Sequence, residues 1–456
     1  METILKAIEE KRAIVDQTAD YIWENPEMAF SEFKSAAWYC DVLRKEGFTV
    51  EENLAGIETA FSGRFGSGRP IIGILGEYDA LSGLSQVAGA AEQVSAGGEA
   101  GHGCGHNLLG AAALGAAIGI KAWLEETGNP GTVIFYGCPG EEGGSGKAFM
   151  ARDGVFDELD AAITNHPNDT TKIPNRSWLA NYQILYKFDG KASHAGGSPH
   201  KGRSALDAVE LMNVGVQFLR EHIPTSCRVH YAITDAGGFS PNVVQPHAEV
   251  LYLIRGVSNK IVAELYDRVN DIAKGAALMT GTTESHRFIK ACSNVIPNDT
   301  IQRMLQEKLE TIPQPPISDE DMAYGKAVAA TIPDGDTENP WSTTVNAYEA
   351  ETQSYGSTDV GDVSWVCPTA QVFNATCVLH TPGHSWQMTA QGKTQRAKDM
   401  TIYAAQAMAA GAVELMENAE LLEKAKAEHA KRVGPEGYIP PIPKDVKPMA
   451  MDSFKK

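Results

Sequence analysis

Residues 101–136 read GHGCGHNLLGAAALGAAIGIKAWLEETGNPGTVIFY. A glycine-spaced loop, a small-residue helix and an apolar strand follow one another here, and that order decides the fold. Gly101-His-Gly-Cys-Gly-His-Asn107 packs His102, Cys104 and His106 into five residues. Glycine between them permits a tight backbone that can aim alternate side chains at one ion. Thiolate and imidazole suit zinc, and imidazole also accepts manganese. Asn107 to Glu126 then reads as a helix whose glycines and alanines let it approach a sheet closely. Thr132-Val-Ile-Phe-Tyr136 reads as a buried strand.

Upstream, Pro70-Ile-Ile-Gly-Ile-Leu75 predicts another buried strand, ending in Gly76-Glu-Tyr-Asp79. Ile4, Ile8, Val15, Ala19 and Ile22 recur at helical spacing up to Pro26. A further helix is expected from Glu32 to Glu46, closed by Gly47. Downstream, Ala161-Ala-Ile-Thr164 is a third buried strand. Strands alternating with helices predict an α/β fold, a helix-covered mixed sheet.

After about residue 178 the pattern changes. Tyr182 to Phe188 alternates at period two, and Leu206, Val209, Met212, Val216 and Leu219 form a helical stripe. Strands near Arg228–Thr234 and Glu249–Arg255 precede a second stripe from Ile261 to Met279. This β-α-β-β-α succession predicts an inserted α+β domain over 181–293. The α/β domain that carries the glycine-spaced loop would then comprise 1–180 and 294–456. The stretch from Ile312 to Trp341 is rich in Pro, Asp and Gly and reads as an irregular insertion. The Pro-rich tail from Val433 reads as extended.

Composition narrows the function. The 456 residues carry a net charge of −19, which argues against nucleic acid and anionic membrane as partners. An anionic substrate would need local positive charge. The N-terminus lacks the pattern of a secretory signal, and the longest low-polarity run, Leu108 to Ile120, is short for a membrane span. Seven scattered cysteines show no disulfide framework, so a reducing, cytoplasmic setting is expected.

Other chemistry-bearing residues gather at strand ends. Cys138-Pro-Gly-Glu-Glu-Gly-Gly144 follows a strand. Of two adjacent carboxylates, one can ligate a metal while the other serves as general base. Asn165-His-Pro167 and Thr381-Pro-Gly-His-Ser385 also follow predicted strands, and α/β sites gather at the carboxyl ends of strands. Asp79 could back a ligating histidine. Gly143-Gly-Ser-Gly-Lys147 lacks the spacing of a phosphate loop. The inserted segment adds Ser193-His194, Ser198-Pro-His200, Pro241-Asn242 and Arg255.

The ordered set His-Gly-Cys-Gly-His, Glu-Glu-Gly-Gly, Asn-His-Pro, Ser-His-Ala-Gly-Gly-Ser-Pro-His, Pro-Asn-Val-Val and Thr-Pro-Gly-His-Ser resembles the aminoacylase/carboxypeptidase family of two-metal hydrolases. It is most similar to that family's cysteine-containing amidohydrolase branch. The resemblance runs from about residue 5 to 430. It implies two divalent cations, Zn²⁺ or Mn²⁺, held by Cys104, His106, Glu142, His166 and His384. It implies Glu141 as the general base and Asp79 as a carboxylate behind a ligand. The family's peptidases carry a histidine ligand where Glu77 stands, so Glu77 is not counted as one. His194 matches a residue that reaches into a partner's active site, and Asn242 and Arg255 match residues holding the substrate's carbonyl and carboxylate. The inserted domain would be a ferredoxin-like dimerisation domain and lid, making a homodimer, with a second, related type of chain as a further expected partner. Gly356–Trp365 and Ser204–Glu210 resemble hydrolases of p-aminobenzoyl-glutamate. The implied reaction is cleavage of an N-acyl amino acid, an aroyl-glutamate foremost. Indole-acetyl- or benzoyl-amino acids and dipeptides are alternatives, and a non-catalytic metal-binding protein is the reading from another class.

Overall fold

A computed structural model describes residues 1–450. A six-stranded mixed sheet runs in the order Thr49–Glu52, Phe61–Ser67, Gly131–Cys138, Ile71–Glu77, Ala161–Asn168, Thr369–Ala375. The first two strands pair antiparallel, and Phe61–Ser67 also joins Gly131–Cys138 antiparallel. All remaining neighbours are parallel. Parallel strands need helices on both faces, and the side chains divide accordingly. Ile72, Ile74, Val133 and Phe135 point into the core under the helices His106–Thr127 and Gln395–Glu417. Ile71, Leu75, Ile134 and Tyr136 point into the core shared with Phe149 and Met150.

The small-residue helix spans His106–Thr127 and is buried for most of its length. A Cβ at Gly110 would lie 2.3 Å from the Tyr39 hydroxyl and 2.6 Å from the Glu77 carbonyl oxygen, so only glycine permits this approach. Among the described residues it is the one helix long and apolar enough to cross a membrane. Here it forms the floor under the sheet.

Residues 180–292 form a second, four-stranded antiparallel sheet in the order Arg228–Asp235, His247–Gly256, Ala180–Asp189, Thr283–Cys292. Helices Ala205–Arg220 and Asn259–Thr280 cover one face. The strand Thr283–Cys292 extends the β-α-β-β-α reading to six elements. Its alternation is broken by a bulge at Phe288–Lys290, which hides the period-two signal.

Several expectations need correction. The N-terminal helix is two, Glu2–Glu10 and Arg12–Glu24, broken at Lys11. Asn165-His-Pro167 lies inside the strand Ala161–Asn168, because its parallel pairing with Thr369–Ala375 continues through Pro167. The Ile312–Trp341 stretch is not irregular throughout. It contains the helix Asp319–Ala329, started by a capping box in which Ser318 and Asp321 satisfy each other's backbone N–H. The tail to residue 450 has no helix or strand after Val433, and its last six residues lie outside the described residues.

Candidate metal centre

The parallel strands end at Glu77, Cys138 and Asn168, and the site sits over these ends. Gly105 turns the chain with φ 77° into the helix that begins at His106. A Cβ there would lie 2.9 Å from both Pro167 and Met388, so the turn brings the glycine-rich loop against two other ligand-bearing segments. The backbone N–H of His384 donates to the Gly103 carbonyl at 2.9 Å, tying the last loop to the first. His384 itself adopts φ 55°, strained for a non-glycine residue and consistent with a functional constraint.

Three clusters of ligand atoms result, each with its members within 4.8 Å of one another. Cys104, His106 and His166 form one, and Cys104, Glu142 and His384 a second. The thiol is common to both. Glu77, His106 and Glu141 form the third.

The histidines are oriented for ligation. His106 Nδ1 lies 2.9 Å from Asp79 Oδ1, which holds a proton on Nδ1 and turns Nε2 into the clusters, where it could ligate a cation that displaces its proton. His166 Nδ1 lies 2.7 Å from the Pro167 carbonyl, while its Nε2 faces Cys104 Sγ at 3.4 Å. The other Asp79 oxygen accepts the Glu142 backbone N–H at 2.9 Å, so one buried carboxylate sets both clusters. Glu142 Oε1 lies 3.2 Å from His384 Nε2. Burial works against its charge, but His384 and His106 pull Glu142 down to about 2.

Glu141 behaves oppositely. Burial, then the charges of Glu77 and Glu142, raises its carboxyl well above the usual range. The two adjacent glutamates therefore diverge, Glu142 held ionised and Glu141 with its proton affinity raised.

The donor set fits divalent cations. Among the described residues His106 Nε2 is a buried ring nitrogen that makes no hydrogen bond, although a Glu77 oxygen stands 3.2 Å away. Burial, reinforced by Glu142, pushes the Cys104 thiol up. A thiolate in this setting needs a cation's charge to exist.

Some neighbours were not legible as part of the site. Lys147 is fully buried, with Nζ 2.7 Å from Glu77 and 2.6 Å from Asp359. Its sequence context pointed to a failed phosphate loop, and only the fold reveals its partners. Glu77 has its other oxygen 3.2 Å from His106 Nε2, although no ligand role was expected for it. Glu32 is buried and accepts the Gly140 N–H at 2.9 Å, holding the loop that carries both glutamates.

The expected site residues of the second segment, His194, Asn242 and Arg255, are not members of the three clusters. His194 and Asn242 are both exposed and neighbour each other, the Ala195 N–H donating to the Asn242 carbonyl at 2.9 Å. His194 Nδ1 accepts from the backbones of Gly196 and Gly197. Arg255 is half-buried and donates to Ser357 Oγ at 2.9 Å. Its Nε is buried without a hydrogen-bond partner among the described residues, and burial lowers its pKa.

The chain is similar to known hydrolases over most of its length. The chain is 47% identical to one of the subunits of p-aminobenzoyl-glutamate hydrolase from Escherichia coli (strain K12), over 97% of each chain. It is 29% identical to Xaa-Arg dipeptidase of Mus musculus, over 89% of this chain and 86% of that one. The solved structure of an aminobenzoyl-glutamate utilization protein from Klebsiella pneumoniae shares the fold, with TM-score 0.61, 17% identity, and 91% and 98% coverage. Peptidase family M20/M25/M40 matches residues 73–332. The chain belongs to peptidase family M20/M25/M40, and it is a metal-dependent hydrolase of that family.

Proposed function

We propose that the chain hydrolyses the amide bond of an N-acyl amino acid, an aroyl-glutamate such as p-aminobenzoyl-glutamate. The observation that carries this reading is the pair of ligand clusters sharing Cys104, with Glu141 left over beside them. Cys104, His106 and His166 would hold one divalent cation and Cys104, Glu142 and His384 the other, Zn²⁺ or Mn²⁺, supplying Lewis acidity to a water and to the amide carbonyl. Glu141, with its raised proton affinity, takes the proton of the attacking water and passes it to the leaving nitrogen. Asp79 keeps His106 in the tautomer that ligation needs. Arg255 receives a substrate carboxylate through its free edge. The 47% identity to a chain of p-aminobenzoyl-glutamate hydrolase supports the choice of acyl group and amino acid.

The segment 181–293 serves as a separate ferredoxin-like lid and dimerisation domain. In its own numbering the strand order is 2-3-1-4, which supports that assignment. Leu211, Val214 and Phe218 are exposed on helix Ala205–Arg220, and Tyr231 and Ile233 on the unpaired edge strand beside it, which favours a homodimer. His194 and Asn242, exposed here, then complete the partner's site by holding the carbonyl as charge develops on it. A second, related type of chain is a further partner, since the relatives include both kinds of p-aminobenzoyl-glutamate hydrolase chain. All seven cysteines are free, which favours a cytoplasmic setting.

The test is incubation of the purified chain with p-aminobenzoyl-glutamate, benzoyl- and indole-acetyl-amino acids and dipeptides, in Mn²⁺ or Zn²⁺. Release of glutamate that a chelator abolishes is the expected result. Metal binding without any amide hydrolysis would instead identify a non-catalytic metal-binding protein.

A further inference from the structure

The second sheet has one face without helices, and its register sets basic residues side by side. Arg228 pairs with Arg255, Arg255 with Asn181, and Asn181 with Cys292. Directly opposed residues share a face, and the Asn181 amide donating to Cys292 Sγ at 3.0 Å verifies it. Two residues along, the next row is His230, Leu253, Gln183 and Lys290.

Lys290 is the unusual member. It is 7% exposed, yet its side chain makes no hydrogen bond or ion pair among the described residues. Gln183 opposite it is 8% exposed and equally without a side-chain partner. Among the described residues Arg255 has a buried Nε with no hydrogen-bond partner, and Asn181 a buried side-chain oxygen with none. Among the described residues neither Arg255 nor Lys290 meets a carboxylate. Acidic side chains on this face begin at its far end, where Glu249 sits beside His247. In a chain of net charge −19, cations on one sheet face without a neighbouring carboxylate give this face the local positive charge that an anion needs.

The face adjoins the metal centre. Arg255 donates to Ser357, and two residues on, Asp359 grips Lys147, whose other partner is Glu77 beside His106. Strand spacing and rise put the Cα atoms of Arg255 and Lys290 about 12 Å apart. Two long side chains can close that gap onto the two carboxylates of one small dicarboxylic acid.

The geometry points to a two-carboxylate pocket, in which Arg255 receives one carboxylate of the substrate and Lys290 the other, so that the amino acid released is itself acidic. This rests on the amide-hydrolase reading above. It adds Lys290 as the residue that separates glutamate from glutamine, with Gln183 donating from its flank. A neutral amide in place of the second carboxylate would leave the Lys290 ammonium without its ionic partner.

The experiment compares kcat/KM for p-aminobenzoyl-glutamate and p-aminobenzoyl-glutamine in the wild-type protein, Lys290→Met and Lys290→Arg. The wild type should favour the glutamate at least tenfold, Lys290→Met should bring the two substrates near parity, and Lys290→Arg should restore most of the preference. Calorimetric titration of the wild type with glutarate and with its monoamide gives a readout that needs neither turnover nor a variant. Glutarate should bind at least tenfold more tightly. Equal binding of the two, or an unchanged substrate ratio in Lys290→Met, overturns the pocket. Hydrolysis of neither amide overturns the hydrolase reading, whereas equal hydrolysis of both by the wild type overturns the pocket alone.

Discussion

Replacing Lys147 by methionine keeps its length and removes its charge, and the structure sets the size of the effect. Lys147 is fully buried, 2.7 Å from Glu77 and 2.6 Å from Asp359, and its backbone N–H also donates to Asp359 at 2.9 Å. Burial alone would lower its pKa, but the two carboxylates hold it well above the ordinary lysine value. In Lys147→Met those carboxylates stay buried with Glu141 as a further acidic neighbour. Breaking a buried pair from one side costs about 3–5 kcal/mol, because the orphaned charge stays out of water. The carboxylates relieve part of this by taking up protons. Urea unfolding should therefore show a loss of about 3–5 kcal/mol at unchanged slope. Glu77→Gln and Asp359→Asn added to Lys147→Met should recover most of it, since the neutral trio has no unpaired charge. A loss below about 1 kcal/mol, or no recovery in the triple variant, would refute the reasoning, because a surface-like pair behaves that way.

Other outcomes follow from the same geometry. Glu141→Ala should keep fold and metal content while kcat drops about 10²–10⁴-fold, checked by steady-state kinetics beside elemental analysis. Arg255→Ala should raise KM for carboxylated substrates far more than for their amides; a similar rise for both would remove Arg255 as the anchor. Burial raises Asp362 to about 7, against hydrogen bonds from Ser293 and Tyr438, compared with 3.8 for an ordinary aspartate. Between about pH 4 and about 7 the native chain thus holds a proton that the unfolded chain has lost. Stability should fall as pH rises through that window, and Asp362→Asn should flatten the fall in urea midpoints.

The ligand-bearing loops are legible in the sequence because each carries a dense local signature, as in Cys104 and His106 across one glycine. Both sheets are visible where strands keep a clean period, as in Tyr182–Phe188. Thr49–Glu52 and Phe61–Ser67 escape notice because they are short or glycine-broken and lie at the antiparallel side of the sheet. The strand Thr283–Cys292 is hidden by its bulge. Helix Asp319–Ala329 is masked by the Pro- and Asp-rich residues around it, although Ser318 and Asp321 together form a start signal. Lys147, Asp359 and Glu32 could not be placed at all. Lys147 and Asp359 are separated by 212 positions in the chain, and nothing local in either stretch announces the other.

In the proposed centre one thiolate is shared by two cations while Glu141 ligates neither. Crystals grown with Zn²⁺ and measured at the zinc absorption edge test this directly. The expected map has two anomalous peaks per chain, both touching Cys104 Sγ, one also meeting His106 and His166 and the other Glu142 and His384. A single peak, peaks away from Cys104, or Glu141 bound to a metal would contradict it.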